Sequence, residues 1–434
     1  MGERACLVQN FLCLFDHCVL PATRFTRLNV MTANENLFKK VVEVSEQLAP
    51  RLRDIRTRIH QNPELGLKLP ATQKTVLDAL HGLDLEITTG KNLDSVVAVL
   101  RGDKRGDNPQ AVLLRGDMDA LPVTEATGFE FASTNGNMHA CGHDLHVTGL
   151  IGAAHVLHAC KSELAGDVVF MFQPGEEGYD GAGKMVDEGV LDAAGVPVVA
   201  AFGVHVSADQ PPGHVYSKPG SYMASANNLE ITVRGRGGHA ARPEAALDPV
   251  QVGAAIVGQL QEFVSRHFFA WDPVVLTVGQ FQAGTAPNVI PDSAYLAASV
   301  RTFSEETTRE CERVLPALVE GIAQAHGLTA EANMYRLLPA TTNNNDENAL
   351  FLETAEVLFG SERVHLMDHP RVGSEDFSRI LDLVPGSYGH FGAAYGPEDT
   401  WEANHSPRAR HTDAALGDQA AFLAALALNR LSTD

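Results

Sequence analysis

Apolar residues recur at helical spacing from Asn36 to His60 and again from Ala71 to Leu80, which predicts two amphipathic helices. Short apolar runs at Ser95–Leu100 and Ala111–Leu114 read as strands. From Gly142 to Cys160 the chain is rich in Ala, Leu and Ile and reads as a helix entered directly after a Cys-Gly-His turn. The partial positive charge at the start of that helix favours a thiolate at Cys141. Apolar strands follow at 167–173 and 198–206, alternating with a Gly-Ala-Gly-Lys-Met-Val helix start near 181. This alternation predicts an α/β fold, with a mixed, mostly parallel sheet and helices on both faces.

From about Pro212 the texture changes. An alternating run at Leu229-Glu-Ile-Thr-Val-Arg234, a helix from about Leu247 to His267, strands at 274–282 and 294–302 and a helix from Glu305 to Ala325 read as a β-α-β-β-α-β unit. That is the order of a ferredoxin-like α+β sandwich, here inserted into the first domain. After about Tyr335 the alternation returns and ends in an Ala-rich helix, Asp413 to Leu431. The expected division is a main domain of residues 31–212 and 331–434, an insert over 213–330, and a poorly ordered extension over 1–30. A chain of 434 residues is also too long for one ordinary hydrophobic core.

Composition narrows the partners. The hydrophobic fraction of 44% is that of a globular protein, and no apolar run approaches the roughly 20 residues that span a bilayer. A formal charge of −21 argues against nucleic acid or an anionic membrane as partner, because phosphate binding relies on clustered Lys and Arg. The six cysteines show no disulfide framework, so a reduced, cytoplasmic setting is the simpler expectation. The apolar patch Phe11-Leu-Cys-Leu-Phe15 is broken by Asp16 and His17 and makes a poor signal peptide.

Candidate chemistry concentrates in Asn137-Met-His139-Ala-Cys141-Gly-His143-Asp-Leu-His146, where a thiol, three imidazoles and a carboxylate share ten residues. Thiolate and imidazole suit zinc, manganese, cobalt or nickel, with zinc the default, whereas calcium and magnesium want oxygen cages. Alone, Cys-x-His also fits a buried structural Cys beside a solvated His. The strand 167–173 runs into Pro174-Gly-Glu176-Glu177-Gly178, and neighbouring side chains on an extended tip diverge. One Glu can then ligate a metal while the other handles protons; a solvated acidic turn is the plainer alternative. A lone imidazole, His205, interrupts the strand 198–206, and His405 stands in a loop before the last helix. Open α/β sheets place their sites at the carboxyl ends of strands, where three of these groups fall.

Nine separated motifs carry a resemblance: His60 to Gly66, Arg115-Gly-Asp117-Met-Asp119 to Pro122, His139 to Asp144, Gln173 to Gly178, Gly203-Val-His205, Gly235 to Pro243, Gly284 to Asp292, Gly373-Ser-Glu-Asp-Phe377 and His405-Ser-Pro407. In order and spacing, over about residues 50–430, the chain is similar to the metallo-amidohydrolases that include hippurate hydrolase, bacterial N-acyl-amino-acid aminoacylases and plant hydrolases of indole-acetyl amino acids. The resemblance implies a zinc-peptidase-like catalytic domain with an inserted dimerisation and lid domain, and hydrolysis of N-acyl amino acids. It implies two divalent metal ions per subunit, with Cys141 bridging them and His143, Glu177, His205 and His405 completing the ligands. Glu176 would be the general base and Asp119 a carboxylate that supports the ligands, with Asp117 a weaker candidate for that support. His239 of the insert would reach into a partner subunit's site to stabilise the oxyanion, making the protein a homodimer or higher oligomer. Asn288 and Arg301 would contact the substrate; His139 and His146 would sit behind the ligands.

Other readings remain at this point. Gly178 to Lys184 fits Gly-x4-Gly-Lys, but Met185 stands where a phosphate loop needs Ser or Thr, and two glutamates precede it. A thiol hydrolase would use Cys141 as nucleophile and leave Glu176, Glu177 and His205 without a role. A metallo-dipeptidase or carboxypeptidase of the same fold, and a non-catalytic metal scaffold, share the ligand set. His411 competes with His405 as the ligand from the far end of the chain, because the tail Arg408-Ala-Arg410-His411 is unusually basic.

Overall fold

The computed structural model describes residues 35–432, so the extension expected over 1–30 lies outside the described residues. An eight-stranded sheet forms the centre. Its strands lie in the order Glu86–Thr89, Val96–Arg101, Asp167–Gln173, Ala111–Asp117, Val198–Ser207, Gly386–Gly392, Val215–Ser217 and Val364–Leu366. Ala111–Asp117 runs parallel to both Asp167–Gln173 and Val198–Ser207, and Gly386–Gly392 runs parallel to Val198–Ser207. These middle strands are buried on both faces, which is why they read as unbroken apolar runs rather than alternating ones.

The side chains still divide by parity. Val112, Leu114, Phe170 and Phe172 enter one core with the helices Glu35–His60, His143–Ala159 and Ala415–Leu431. Leu113, Val169 and Met171 enter the opposite core with Met185, Ile380 and Tyr388. Full burial of a Leu or Phe contributes about 1.5–3 kcal/mol, so either core outweighs any single surface contact. Gly116 permits the closest approach: a Cβ there would lie 2.8 Å from the His146 carbonyl oxygen, so only glycine lets the helix His143–Ala159 sit on that strand end.

A second, four-stranded sheet has the order Val275–Ala283, Ser293–Arg301, Ala226–Arg234 and Thr329–Leu338, antiparallel throughout. The helices Pro249–His267 and Glu305–Ala325 cover it around a third core built on Ile231, Ile256, Leu296 and Leu315. In Ser293–Arg301 buried residues alternate with more exposed ones, the signature of a sheet covered on one face.

The chain changes sheets at positions other than the expected 213 and 330. Val215–Ser217 pairs with Gly386–Gly392 and Val364–Leu366 in the large sheet, and Thr329–Leu338 pairs along its length with Ala226–Arg234 in the small one. Hydrogen-bonded pairing, not a shift in composition, decides sheet membership. The strand Glu86–Thr89 had no hydrophobic signal because all four of its residues are exposed. Among the described residues no helix is long and apolar enough to cross a membrane.

Candidate metal centre

The carboxyl ends of the middle strands deliver Asp117, the Gln173-to-Glu177 tip and His205 to one place, and the turn before His143–Ala159 adds Cys141 and His143. Gly142 makes that turn. Its φ is +82°, and a Cβ there would lie 2.3 Å from Val206 Cγ2, so strain and a clash both demand glycine. His405 arrives from the far end of the chain with a φ of +70°, a conformation that side chains rarely adopt and that functional sites tend to hold.

Two donor groups share Cys141. One is Cys141, His143 and His205; the other is Cys141, Glu177 and His405, each with its ligand atoms within 4.8 Å of one another. Cys141 Sγ lies 3.3 Å from His205 Nε2 and 3.1 Å from His405 Nε2, and His405 Nε2 is 3.3 Å from Glu177 Oε1. His143 Nδ1 is 2.9 Å from the Asp119 carbonyl and His205 Nδ1 is 2.8 Å from the Val206 carbonyl. A carbonyl can only accept, so both Nδ1 atoms carry the proton and both Nε2 atoms offer a lone pair to the cluster. Among the described residues His143 Nε2 has no hydrogen-bond partner, although it is buried. An orphaned imidazole nitrogen among a thiol, a carboxylate and two further imidazoles fits a divalent metal of the zinc type.

Of the neighbouring histidines, His146 is occupied by its own bonds, and His139 and His411 lie outside the donor groups. His146 Nδ1 is 2.5 Å from Asp117 Oδ1, and its Nε2 accepts the Val206 N–H at 2.7 Å, so neither nitrogen is left for a metal. His139 is buried and pushed down to about 3 by desolvation, hence neutral, and takes no part in the donor groups. His411, the competitor of His405, is likewise buried, held near 3 by desolvation, and outside every donor group.

Asp119 does more than support an imidazole. Its Oδ1 and Oδ2 accept the backbone N–H groups of Glu176 and Glu177, both at 3.0 Å, and so clamp the tip that carries both glutamates. Glu176 faces the cavity, and its carboxyl is held well above the usual range by burial, then by the negative charges of Glu375, Asp376 and Glu177. Desolvation and the Glu375-Asp376 pair thus outweigh the charge of neighbouring Glu177.

That pair belongs to a network of which sequence reasoning singled out Asp117 alone. Arg115, fully buried, lies 2.7 Å from Asp117, 2.7 Å from Glu375 and 3.1 Å from Asp376, while Tyr388 donates to Glu375 at 2.5 Å. One cation therefore faces three carboxylates, and the surplus negative charge is felt by Glu176. Asn404 was also missed. It donates to the Val206 carbonyl at 2.8 Å and accepts the Ala208 N–H at 2.9 Å, fixing the loop that carries His405. Its position beside His405 was the available signal.

Residues 113–429 match the model of Peptidase family M20/M25/M40. The chain belongs to this family. Among its M20-type relatives, IAA-amino acid hydrolase ILR1-like 2 of Arabidopsis thaliana is 37% identical, over 87% of this chain and 84% of its own. N-acetylcysteine deacetylase of Bacillus subtilis is 36% identical, over 88% and 97%. A solved M20 structure, the YXEP protein of Bacillus subtilis, is described as a dinuclear metal-binding peptidase and aligns with a TM-score of 0.78 at 32% identity, covering 90% of this chain and 99% of that one. Membership makes this chain an M20 hydrolase of amide bonds and accounts for the ligand-rich cavity.

Of the remaining expected residues, Arg301 lines the cavity of about 1200 Å3 that opens onto Cys141, Glu176, Glu177, His205 and His405. His239 and Asn288 do not. They sit together at a separate two-stranded sheet, where His239 is exposed, Gly238–His239 pairs with Val289–Ile290 and the Asn288 carbonyl accepts the Ala240 N–H at 3.1 Å.

Proposed function

We propose that the protein is a metal-dependent amidohydrolase that releases amino acids from N-acyl amino acids or amino-acid conjugates. The observation that carries this reading is the convergence of Cys141, His143, Glu177, His205 and His405 beside Glu176, with all of these but His143 lining one open cavity. Two divalent ions, zinc by default and manganese, cobalt or nickel by donor type, would be held there by these five side chains. When bound they supply Lewis acidity, polarising the amide carbonyl and lowering the pKa of water from 15.7 towards about 7.

The protein's own part is positioning and proton transfer. Glu176 takes a proton from the attacking water and returns it to the leaving amine nitrogen, a task that suits a carboxyl held above its usual range. Asp119 fixes where that carboxyl stands. Arg301 binds the substrate carboxylate with its two-pronged guanidinium, and Asn288, which stands beside His239, would assist at the carbonyl in the site of a second subunit. His239, remote from the cluster of its own chain, acts in the site of a second subunit and stabilises the oxyanion, with the small sheet and its helices as dimerisation domain and lid. On this reading the catalytic domain is the large sheet with its helices and the protein is cytoplasmic.

The test is release of free amine from a panel of N-acyl amino acids, with metal content measured before and after chelation and with Glu176→Ala alongside. Activity that chelation removes, metal restores and the variant lacks supports the proposal. Metal-loaded protein that hydrolyses no member of the panel refutes it.

A further inference from the structure

Four arginines line the cavity above the cluster: Arg301, Arg336, Arg371 and Arg379. Two are neutralised within the protein. Arg336 pairs with Glu305 at 2.8 Å and with Glu312 at 2.5 Å, and Arg379 pairs with Asp180 at 2.9 Å. Arg301 and Arg371 form no ion pair among the described residues. Arg301 Nη1 reaches only the Ser225 carbonyl, at 3.5 Å, and it is half-buried. Arg371 is also half-buried, and its Nε is enclosed with no hydrogen-bond partner.

The surroundings of Arg371 leave its charge uncompensated. It lies against the Tyr222 phenol and near His390, and neither neighbour is a carboxylate. Asp209, on the same cavity wall, is exposed and pairs with neither arginine. Enclosing a guanidinium without a counter-charge is unfavourable, and a bound carboxylate relieves it through two parallel N–H bonds. The two arginines also come from different parts of the fold. Arg301 ends a strand of the small sheet, whereas Arg371 follows Val364–Leu366 and bridges to Met223.

We infer that Arg371 forms a second anion subsite, so that the cavity selects N-acyl amino acids bearing two carboxylates, one held by Arg301 and the other by Arg371. This rests on the amidohydrolase reading and names its substrate class. The second carboxylate could stand on the amino-acid side chain or at the far end of the acyl group, and two arms separate these sources. One compares N-acetylglutamate with N-acetylglutamine; the other compares N-succinyl-leucine with its succinamoyl amide.

The readout is the ratio of kcat/KM for dianion over neutral isostere in wild type, Arg371→Gln and Arg371→Lys. We expect a wild-type ratio of about ten to a hundred in one arm, the range that a charge-assisted hydrogen bond supplies. It should collapse towards one in Arg371→Gln and be partly kept in Arg371→Lys, which also serves if the glutamine variant fails to fold. No wild-type preference in either arm, or a preference that survives both substitutions, overturns the inference. Calorimetry with glutarate, which has no scissile bond, separates the two readings. Glutarate binding that weakens about ten-fold in the variants, with no hydrolysis of any amide, would overturn the amidohydrolase reading and support the subsite. Hydrolysis with glutarate binding unaltered by the substitutions would overturn the subsite alone.

Discussion

Asp119→Asn isolates the clamp on the catalytic tip. The native carboxylate accepts Glu176 N–H on Oδ1 and Glu177 N–H on Oδ2, both at 3.0 Å, while its own carbonyl accepts His143 Nδ1. Asparagine keeps the volume and one acceptor but places an NH2 against the other N–H. One charge-assisted bond, worth about 1.5–3 kcal/mol, is lost, and a donor is left facing a donor. The tip relaxes away from that contact, so Glu176 or Glu177 leaves its position. A shift of about 1 Å in a catalytic group costs on the order of a hundred-fold in rate, and loss of a group behind a metal ligand costs about ten- to a hundred-fold in metal affinity. The assays are kcat at saturating metal and metal affinity by competition with a chelator. We expect kcat to fall about a hundred-fold with metal affinity reduced but measurable. Wild-type kcat and wild-type metal affinity in a folded variant would refute the reasoning.

Three further outcomes follow from the same geometry. Cys141→Ala removes the one atom common to both donor groups and should lose metal as well as activity; full metal occupancy by elemental analysis would count against a bridging thiolate. His60 is buried, which alone would lower its pKa, but Asp144 at 2.8 Å and Glu125 at 3.1 Å outweigh this and hold it at about 9 against 6.5 for an ordinary His. The stability it contributes is fully present below pH 6.5 and lost as pH rises through about 9, so the gap in urea-unfolding free energy between wild type and His60→Gln should narrow by about 3 kcal/mol from pH 6 to pH 10. A constant gap would show that the imidazole is not held protonated. Mixing His239→Ala with Glu176→Ala subunits should restore part of the activity if His239 serves a second subunit's site; verified heterodimers without recovery would exclude that role.

Local pattern carried most of the architecture. The helices at Glu35–His60 and Glu305–Ala325 follow from periodicity, and the helix His143–Ala159 and the strands of the middle sheet from apolar runs, because burying one helical stripe, a whole helix or both faces of a strand leaves a direct mark on residue order. The candidate ligand types were legible for a similar reason: metal chemistry admits few side chains, and Cys141, Glu177 and His205 stand near element ends while His405 stands in a loop. What the order of residues could not state is which atoms meet. Cys141 and His405 are 264 positions apart and Arg115 and Glu375 are 260 apart, so their contacts exist only once the sheet and its helices have packed. Packing also brings His405, and not His411, into a donor group with Cys141 and Glu177, occupies both ring nitrogens of His146, and sets Asp119 against the backbone of Glu176. It decided membership of the small sheet at Thr329–Leu338 through strand pairing. Sequence by itself determined the elements and the chemical repertoire, because both are constrained by local propensity and residue type. Tertiary structure alone assigned partners, protonation and charge balance, because these depend on distances of a few ångströms between residues that the chain keeps far apart.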